Sequence, residues 1–181
     1  MKIYFAGAHS LGKTTVARHI SKKYNLPLIT EVARSILAEE ETDLKQLRID
    51  LDLVDSYQEK VFEKQINIES SYESFVSDRC IDCLAYTAQH SRILNKIFNS
   101  DKYINYVSSL KNKDSIIFYI KPCKETLASD GVRENLNWDG IISIDSMIKF
   151  IFEASNIPHI QINTSNMQER IRLIDSVISK L

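Results

Sequence analysis

The stretch Gly7-Ala8-His9-Ser10-Leu11-Gly12-Lys13-Thr14 follows the apolar run Lys2-Ile3-Tyr4-Phe5-Ala6 and opens a segment in which Val16, Ile20 and Tyr24 recur every four residues. It has the form GxxxxGK[ST], and a buried strand before it with an amphipathic helix after it is the context that gives the motif meaning. In such a P-loop the glycines let the backbone curl, so that successive N–H groups point inward at phosphate oxygens. The start of the following helix adds its positive dipole end. The expected nucleotide-binding residues are therefore Gly7, Ala8, His9, Ser10, Leu11, Gly12, Lys13, Thr14 and Thr15. Lys13 is expected to reach the β- and γ-phosphates of ATP, and the Thr14 hydroxyl to serve Mg²⁺. Thr15 caps the helix or meets the α-phosphate. His9 either touches a phosphate or the substrate, or fills the loop.

Beyond this loop, apolar runs and helical periodicities alternate. Strands are predicted at Leu26–Thr30, Ser74–Asp78, Ser115–Ile120 and His159–Ile162, in addition to Lys2–Ala6. Helices are predicted from Gly12 to Tyr24, Glu31 to Glu40, Thr42 to Tyr72 with Thr42 as N-cap, Asp82 to His90, Asp101 to Asn112, Gly140 to Ala154 and Met167 to Lys180. The charges of the long 42–72 segment read as a solvated helix face. Alternating strands and helices imply a three-layer α/β fold, with a central parallel five-stranded sheet and ligands at the carboxyl ends of its strands. A single domain over residues 1–181 is expected, with residues of about 122–140 as a lid segment.

Bulk properties narrow the classes. The 181 residues suffice for one core, and 44% hydrophobic with 26% charged residues is ordinary for a globular chain. The formal net charge of −1 argues weakly against a protein that neutralises a long stretch of nucleic acid. Cys80, Cys83 and Cys123 are too few for a disulfide framework, and the CxxC pair lacks a second pair to complete a zinc site. No apolar run approaches a membrane span, and a cytoplasmic location without a membrane partner is expected.

The residues after the second and third strands carry the remaining chemistry. Glu31 and Arg34 can act as a base for an attacking hydroxyl and a phosphate ligand one turn on, or form an ordinary i,i+3 ion pair. Asp78 can hold Mg²⁺ directly or through water, and Arg79 can clamp a phosphate; a strand-end salt bridge is the plainer alternative. Asp82 and Tyr86, on the next helix, are candidates to line an acceptor pocket.

Together the P-loop, Glu31-Val32-Ala33-Arg34, Ser77-Asp78-Arg79 with Asp82-Cys83-Leu84-Ala85-Tyr86, and Asp130-Gly131-Val132-Arg133 resemble the NadR-like (ribosylnicotinamide kinase-like) P-loop kinase family. The resemblance spans nearly the whole chain and keeps the order of motifs. Asp78-Arg79 is also similar to the Asp-Arg element of deoxynucleoside and thymidylate kinases. The Glu-x-x-Arg spacing is similar to the Asp-x-x-Arg of phage polynucleotide kinases. The resemblance implies Glu31 as general base, Arg34 as a ligand of the acceptor or its phosphate, Asp78 as the residue serving Mg²⁺, and Arg133 as a lid arginine closing over ATP.

The sequence thus implies an ATP- and Mg²⁺-dependent phosphotransferase acting on a hydroxyl of a nucleoside, nucleotide or related small molecule. A hydroxyl on DNA or RNA (a 5′ end or a hydroxymethylated base), and a regulatory NTPase without an acceptor, are the alternatives; homodimer formation stays open.

Overall fold

The computed structural model describes residues 1–30, 32–39, 47, 49–124 and 138–180. Five strands form one parallel sheet: β1 (Lys2–Ala6), β2 (Leu28–Ile29), β3 (Phe75–Ser77), β4 (Ser115–Ile120) and β5 (Ile160–Ile162), in the order β2-β3-β1-β4-β5. The continuous apolar character of β1 and β4 follows from their central places, since a parallel sheet is covered on both faces. In their paired register Phe5 lies beside Phe118, with stacked rings 5.6 Å apart, and both are fully buried.

Eight helices among the described residues cover the sheet. They are α1 (Lys13–Tyr24), α2 (Val32–Glu39), α3 (Leu51–Ser70), α4 (Cys83–His90), α5 (Leu94–Phe98), α6 (Asp101–Leu110), α7 (Trp138–Ala154) and α8 (Met167–Ile178). Helix α1 packs on β1, β2 and β3 with α8 beside it, while α4 packs between α3 and α7. The three-layer architecture expected from the alternating pattern is the one observed.

Two helices differ from the sequence reading. The long amphipathic segment begins its helix at Leu51, not near Thr42, which lies outside the described residues. The stop signal is local: Asp50 adopts an extended backbone, and its carboxylate accepts from the N–H groups of Asp52 and Leu53, both at 3.0 Å. That satisfies two donors that no preceding turn can satisfy. The short α5 was not predicted, because five residues carry too little periodicity to register.

Most α3 charges face solvent, as expected, and several have partners; Glu69 departs from the expectation and is buried. Arg92 pairs with Asp52 and Asp55, Lys96 with Glu59 and Lys102 with Glu63. These pairs run from the outer face of α3 to Arg92, α5 and α6. Behind them, the buried Glu69 accepts from the hydroxyls of Tyr4 and Tyr106 and from the Gln65 amide, which also reaches Ser77. Burial raises the Glu69 carboxyl to about 7.

Replacement of the α3 cap, Asp50→Ala, is expected to cost about 1 kcal/mol of unfolding free energy in urea titration, with an unchanged m-value. An unaltered midpoint would show that the helix is started elsewhere.

Candidate active site

The site gathers at the carboxyl ends of β1 and β3. Gly7 leaves β1 with φ +145°, and a Cβ there would lie 2.6 Å from the Ile120 carbonyl oxygen, so no other residue fits without moving β4. Gly12 closes the loop at φ +78°, in the left-handed region, just before α1. Between them the loop curls around a cavity of about 250 Å³ bordered by Ser10–Thr15, Arg34, Asp78 and Arg79. The Ser10 hydroxyl oxygen is buried with no hydrogen-bond partner among the described residues. An orphaned donor at the mouth of a helix N-terminus suits a phosphate oxygen.

Lys13 is buried, and its ammonium donates to the Ala8 carbonyl inside the loop. Burial, helped by the nearby Arg79 charge, pulls its pKa down to about 7. The Thr14 hydroxyl donates to Asp78 Oδ2 at 2.6 Å, bringing two hard oxygen ligands together at the cavity edge. Burial is also the main influence on Asp78 and raises its carboxyl. Thr15 is exposed and borders the same cavity.

Asp82 does not line the acceptor pocket, as the sequence suggested. It is fully buried behind the loop, where Oδ2 accepts from Gly7 N–H at 3.3 Å and Oδ1 from Cys80 N–H at 2.7 Å. Arg79 donates to the same carboxylate at 3.1 Å and to the Gly7 carbonyl at 3.3 Å. The strand-end salt bridge therefore exists, and it also aims Arg79. The guanidinium carbon lies 5.6 Å from the centroid of the Tyr86 ring.

A second cavity, of about 520 Å³, adjoins the first and shares Val32, Ala33 and Arg79 with it. Val54, Tyr57, Gln58 and Val61 of α3 form one wall, and Cys83 and Tyr86 of α4 another. His9 borders this second cavity and not the phosphate loop's own; its Nδ1 lies 3.0 Å from the Tyr86 hydroxyl. Gln58 is buried, and its side-chain carbonyl accepts from the Thr87 hydroxyl at 3.1 Å, which leaves the amide N–H₂ as the donor end.

Sequence reasoning missed Tyr57 and Gln58. Their signal was present: Val54, Gln58, Val61 and Gln65 follow helical spacing, so two glutamines stand on the apolar stripe. Both border the second cavity, but the Gln65 amide donates to Glu69 and Ser77, whereas the Gln58 amide keeps its N–H₂ end. It also missed Arg170, a buried arginine of α8 that bonds the P-loop from behind. Burial raises the thiols of both Cys80 and Cys83, and no metal-binding cluster of His, Cys, Asp or Glu occurs among the described residues. Glu31 and Arg133 lie outside the described residues; Arg34 borders the first cavity from the exposed side of α2.

The sequence profile of a family described as an AAA domain matches residues 2–170. The chain belongs to that family. No curated protein sequence matches this AAA domain significantly. Among solved structures, deoxyadenosine kinase from M. mycoides with bound dATP superposes with a TM-score of 0.65 at 17% identity, covering 99% of this chain and 100% of that one. NadR in complex with NR gives a TM-score of 0.72 at 14% identity, covering 98% of this chain and 50% of NadR. Shikimate kinase from Acinetobacter baumannii gives 0.59 at 13% identity, covering 99% and 93%. The AAA domain thus shares its fold with nucleoside and small-molecule kinases, and the expected likeness to NadR and to deoxynucleoside kinases holds at that level. Among the described residues no helix is long and apolar enough to cross a membrane.

Because an anionic triphosphate favours the ammonium form of Lys13, ATP binding above neutrality must draw a proton onto it. At about pH 8, calorimetry in buffers of different ionisation enthalpy is expected to show proton uptake on ATP binding, absent in Lys13→Ala. Affinity should fall as pH rises through about 7. Uptake in both proteins, or in neither, would contradict the assignment.

Proposed function

We propose that this AAA domain is an ATP- and Mg²⁺-dependent kinase that transfers the γ-phosphate to a hydroxyl of a nucleoside-like small molecule. The observation that carries the reading is the pair of adjoining cavities. One is walled by backbone N–H groups, a lysine and a helix N-terminus; the other is mainly apolar and of the volume of a small aromatic-bearing ligand. Arg79, held by Asp82, stands on the wall they share, where a phosphoryl group would pass from one ligand to the other.

Thr14 and Asp78 are the residues that would hold Mg²⁺. Their oxygens fit an ion that takes few protein ligands and keeps its waters, and bound there it would neutralise charge on the phosphates. Lys13 and the loop N–H groups bind and orient the triphosphate. Glu31, immediately before Val32 of the shared wall, keeps the role of base for the acceptor hydroxyl, and Arg34 that of a phosphate ligand. Arg133, in the segment 122–140 proposed as a lid, keeps its role of stabilising charge on the moving group.

For the acceptor, the second cavity supports a planar, uncharged ring. Tyr57 and Tyr86 offer aromatic surface, and the Gln58 amide offers a fixed donor to a ring carbonyl or nitrogen. Among the described residues the lining holds one guanidinium, Arg79, where a polynucleotide would need a row of cations, which favours a free small molecule over a nucleic-acid hydroxyl. The relatives fit this: NadR is seen with NR, and the M. mycoides enzyme acts as a deoxyadenosine kinase.

Steady-state kinetics on an accepted nucleoside test the reading. Lys13→Ala and Glu31→Gln should each lower turnover at least about 100-fold, with only Lys13→Ala greatly weakening ATP binding. Glu31→Gln with near wild-type turnover would remove Glu31 as base. Gln58→Leu should raise KM for the acceptor about tenfold or more and leave KM for ATP unchanged; equal effects on both would place Gln58 outside the acceptor pocket.

A further inference from the structure

Helix α8 meets the P-loop from the side opposite the phosphate cavity. Its first residue, Met167, lies so close that a Cβ on Gly12 would come within 2.8 Å of the Met167 Cε. One turn on, Arg170 is 1% exposed, and its guanidinium is the largest fully buried side chain of the molecule's described residues. Nη1 donates to the Leu11 carbonyl at 2.5 Å, and Nη2 to the Thr164 carbonyl, which follows β5, at 2.8 Å. Nε is buried with no hydrogen-bond partner among the described residues.

This is an unusual way to bury an arginine. A buried cation normally sits against a carboxylate, and removal from water is costly when none is present. Among the described residues no carboxylate forms an ion pair with Arg170, and burial lowers its pKa. The nearest acidic side chain in sequence, Glu169, accepts from the Thr164 hydroxyl, while its N–H donates to the Asn166 side chain that caps the helix. The charge therefore faces two carbonyl dipoles and, one peptide unit beyond Leu11, the cavity that the P-loop encloses. A site that pays for an unneutralised cation one layer behind an anion pocket uses it when the anion arrives. The carbonyl bonds also pin the Leu11 peptide, which directs the neighbouring N–H groups into the loop.

We propose that Arg170 is a positioning residue for the triphosphate: it holds the P-loop curled through the Leu11 carbonyl and supplies, from behind, positive charge that the bound phosphates complete. The inference rests on the reading of the first cavity as a nucleotide site. It assigns α8 a part in nucleotide affinity, although Arg170 does not border the first cavity. Because the effect is electrostatic it grows with the number of phosphates, whereas a merely structural role would weaken all nucleotides alike.

Calorimetric titration of wild type, Arg170→Gln and Arg170→Lys with adenosine, ADP and ATP, each with Mg²⁺, tests this. Arg170→Gln is expected to weaken ATP about tenfold, ADP less, and adenosine by no more than about twofold. Arg170→Lys, which restores the charge and one carbonyl bond, should bind ATP within about threefold of wild type. Circular dichroism establishes that each variant is folded. If Arg170→Gln does not fold, Arg170→Lys decides: a tenfold or greater loss of ATP affinity in the folded lysine variant overturns the proposal. So does a folded Arg170→Gln that binds ATP like wild type, or one that loses ATP and adenosine in equal proportion. Wild-type protein that bound neither ADP nor ATP would instead overturn the nucleotide reading beneath it.

Discussion

The Asp82 carboxylate joins the parts that have to meet. It is fully buried, yet it accepts from the first N–H of the P-loop, from the chain leaving β3, and from the guanidinium of Arg79. Two strands, β1 and β3, end side by side because their registers pair Tyr4 with Ser77. What makes their ends into one site is the charge between them. Removing Arg79 would leave the fully buried Asp82 carboxylate with only the Gly7 and Cys80 N–H groups to stabilise it. Arg79 is correspondingly fixed: the cation that faces both cavities is held at its nitrogen by Asp82 and by the Gly7 carbonyl.

Around this anchor the site separates its tasks by layer. Backbone geometry shapes the first cavity, proposed for the phosphates: Gly7 and Gly12 take conformations and close approaches that a side chain would forbid, and α1 aims its N-terminus at the same space. The second cavity, proposed for the acceptor, is walled by side chains of α2, α3 and α4, and Gln58 and Arg79 are among its polar groups. The division has a physical reason. A triphosphate is the same in every use and can be read by N–H groups, whereas acceptors differ and are read by residues that can change without disturbing the loop.

Much of this was legible in the sequence, and for identifiable reasons. The P-loop motif constrains conformation at Gly7 and Gly12, and the buried parallel strands β1 and β4 are continuous apolar runs, so motif and period agreed on the architecture. The P-loop motif offered Thr14 and the strand end offered Asp78, and the two are hydrogen-bonded to each other. The misreadings around the site share one cause, long-range contact. Asp82 looks like a helix-face residue beside Tyr86, and only the fold shows that it turns back 75 positions to Gly7. Arg170 sits in a helix with charged neighbours, and nothing in its local pattern marks it as the residue that meets Leu11, 159 positions away. Gln58 is intermediate: helical spacing placed it on a buried stripe, but its orientation depends on Thr87 of a different helix.

The central claim is that the two cavities serve one transfer between two bound molecules. The direct measurement is to incubate the protein with Mg²⁺ and ATP labelled in its γ-phosphate, with and without a mixture of nucleosides, and to follow where the label goes. The account predicts label on a nucleoside hydroxyl, with little released as inorganic phosphate when no acceptor is present. Release of labelled phosphate at the same rate whether or not acceptors are added, with none on a nucleoside, would contradict it.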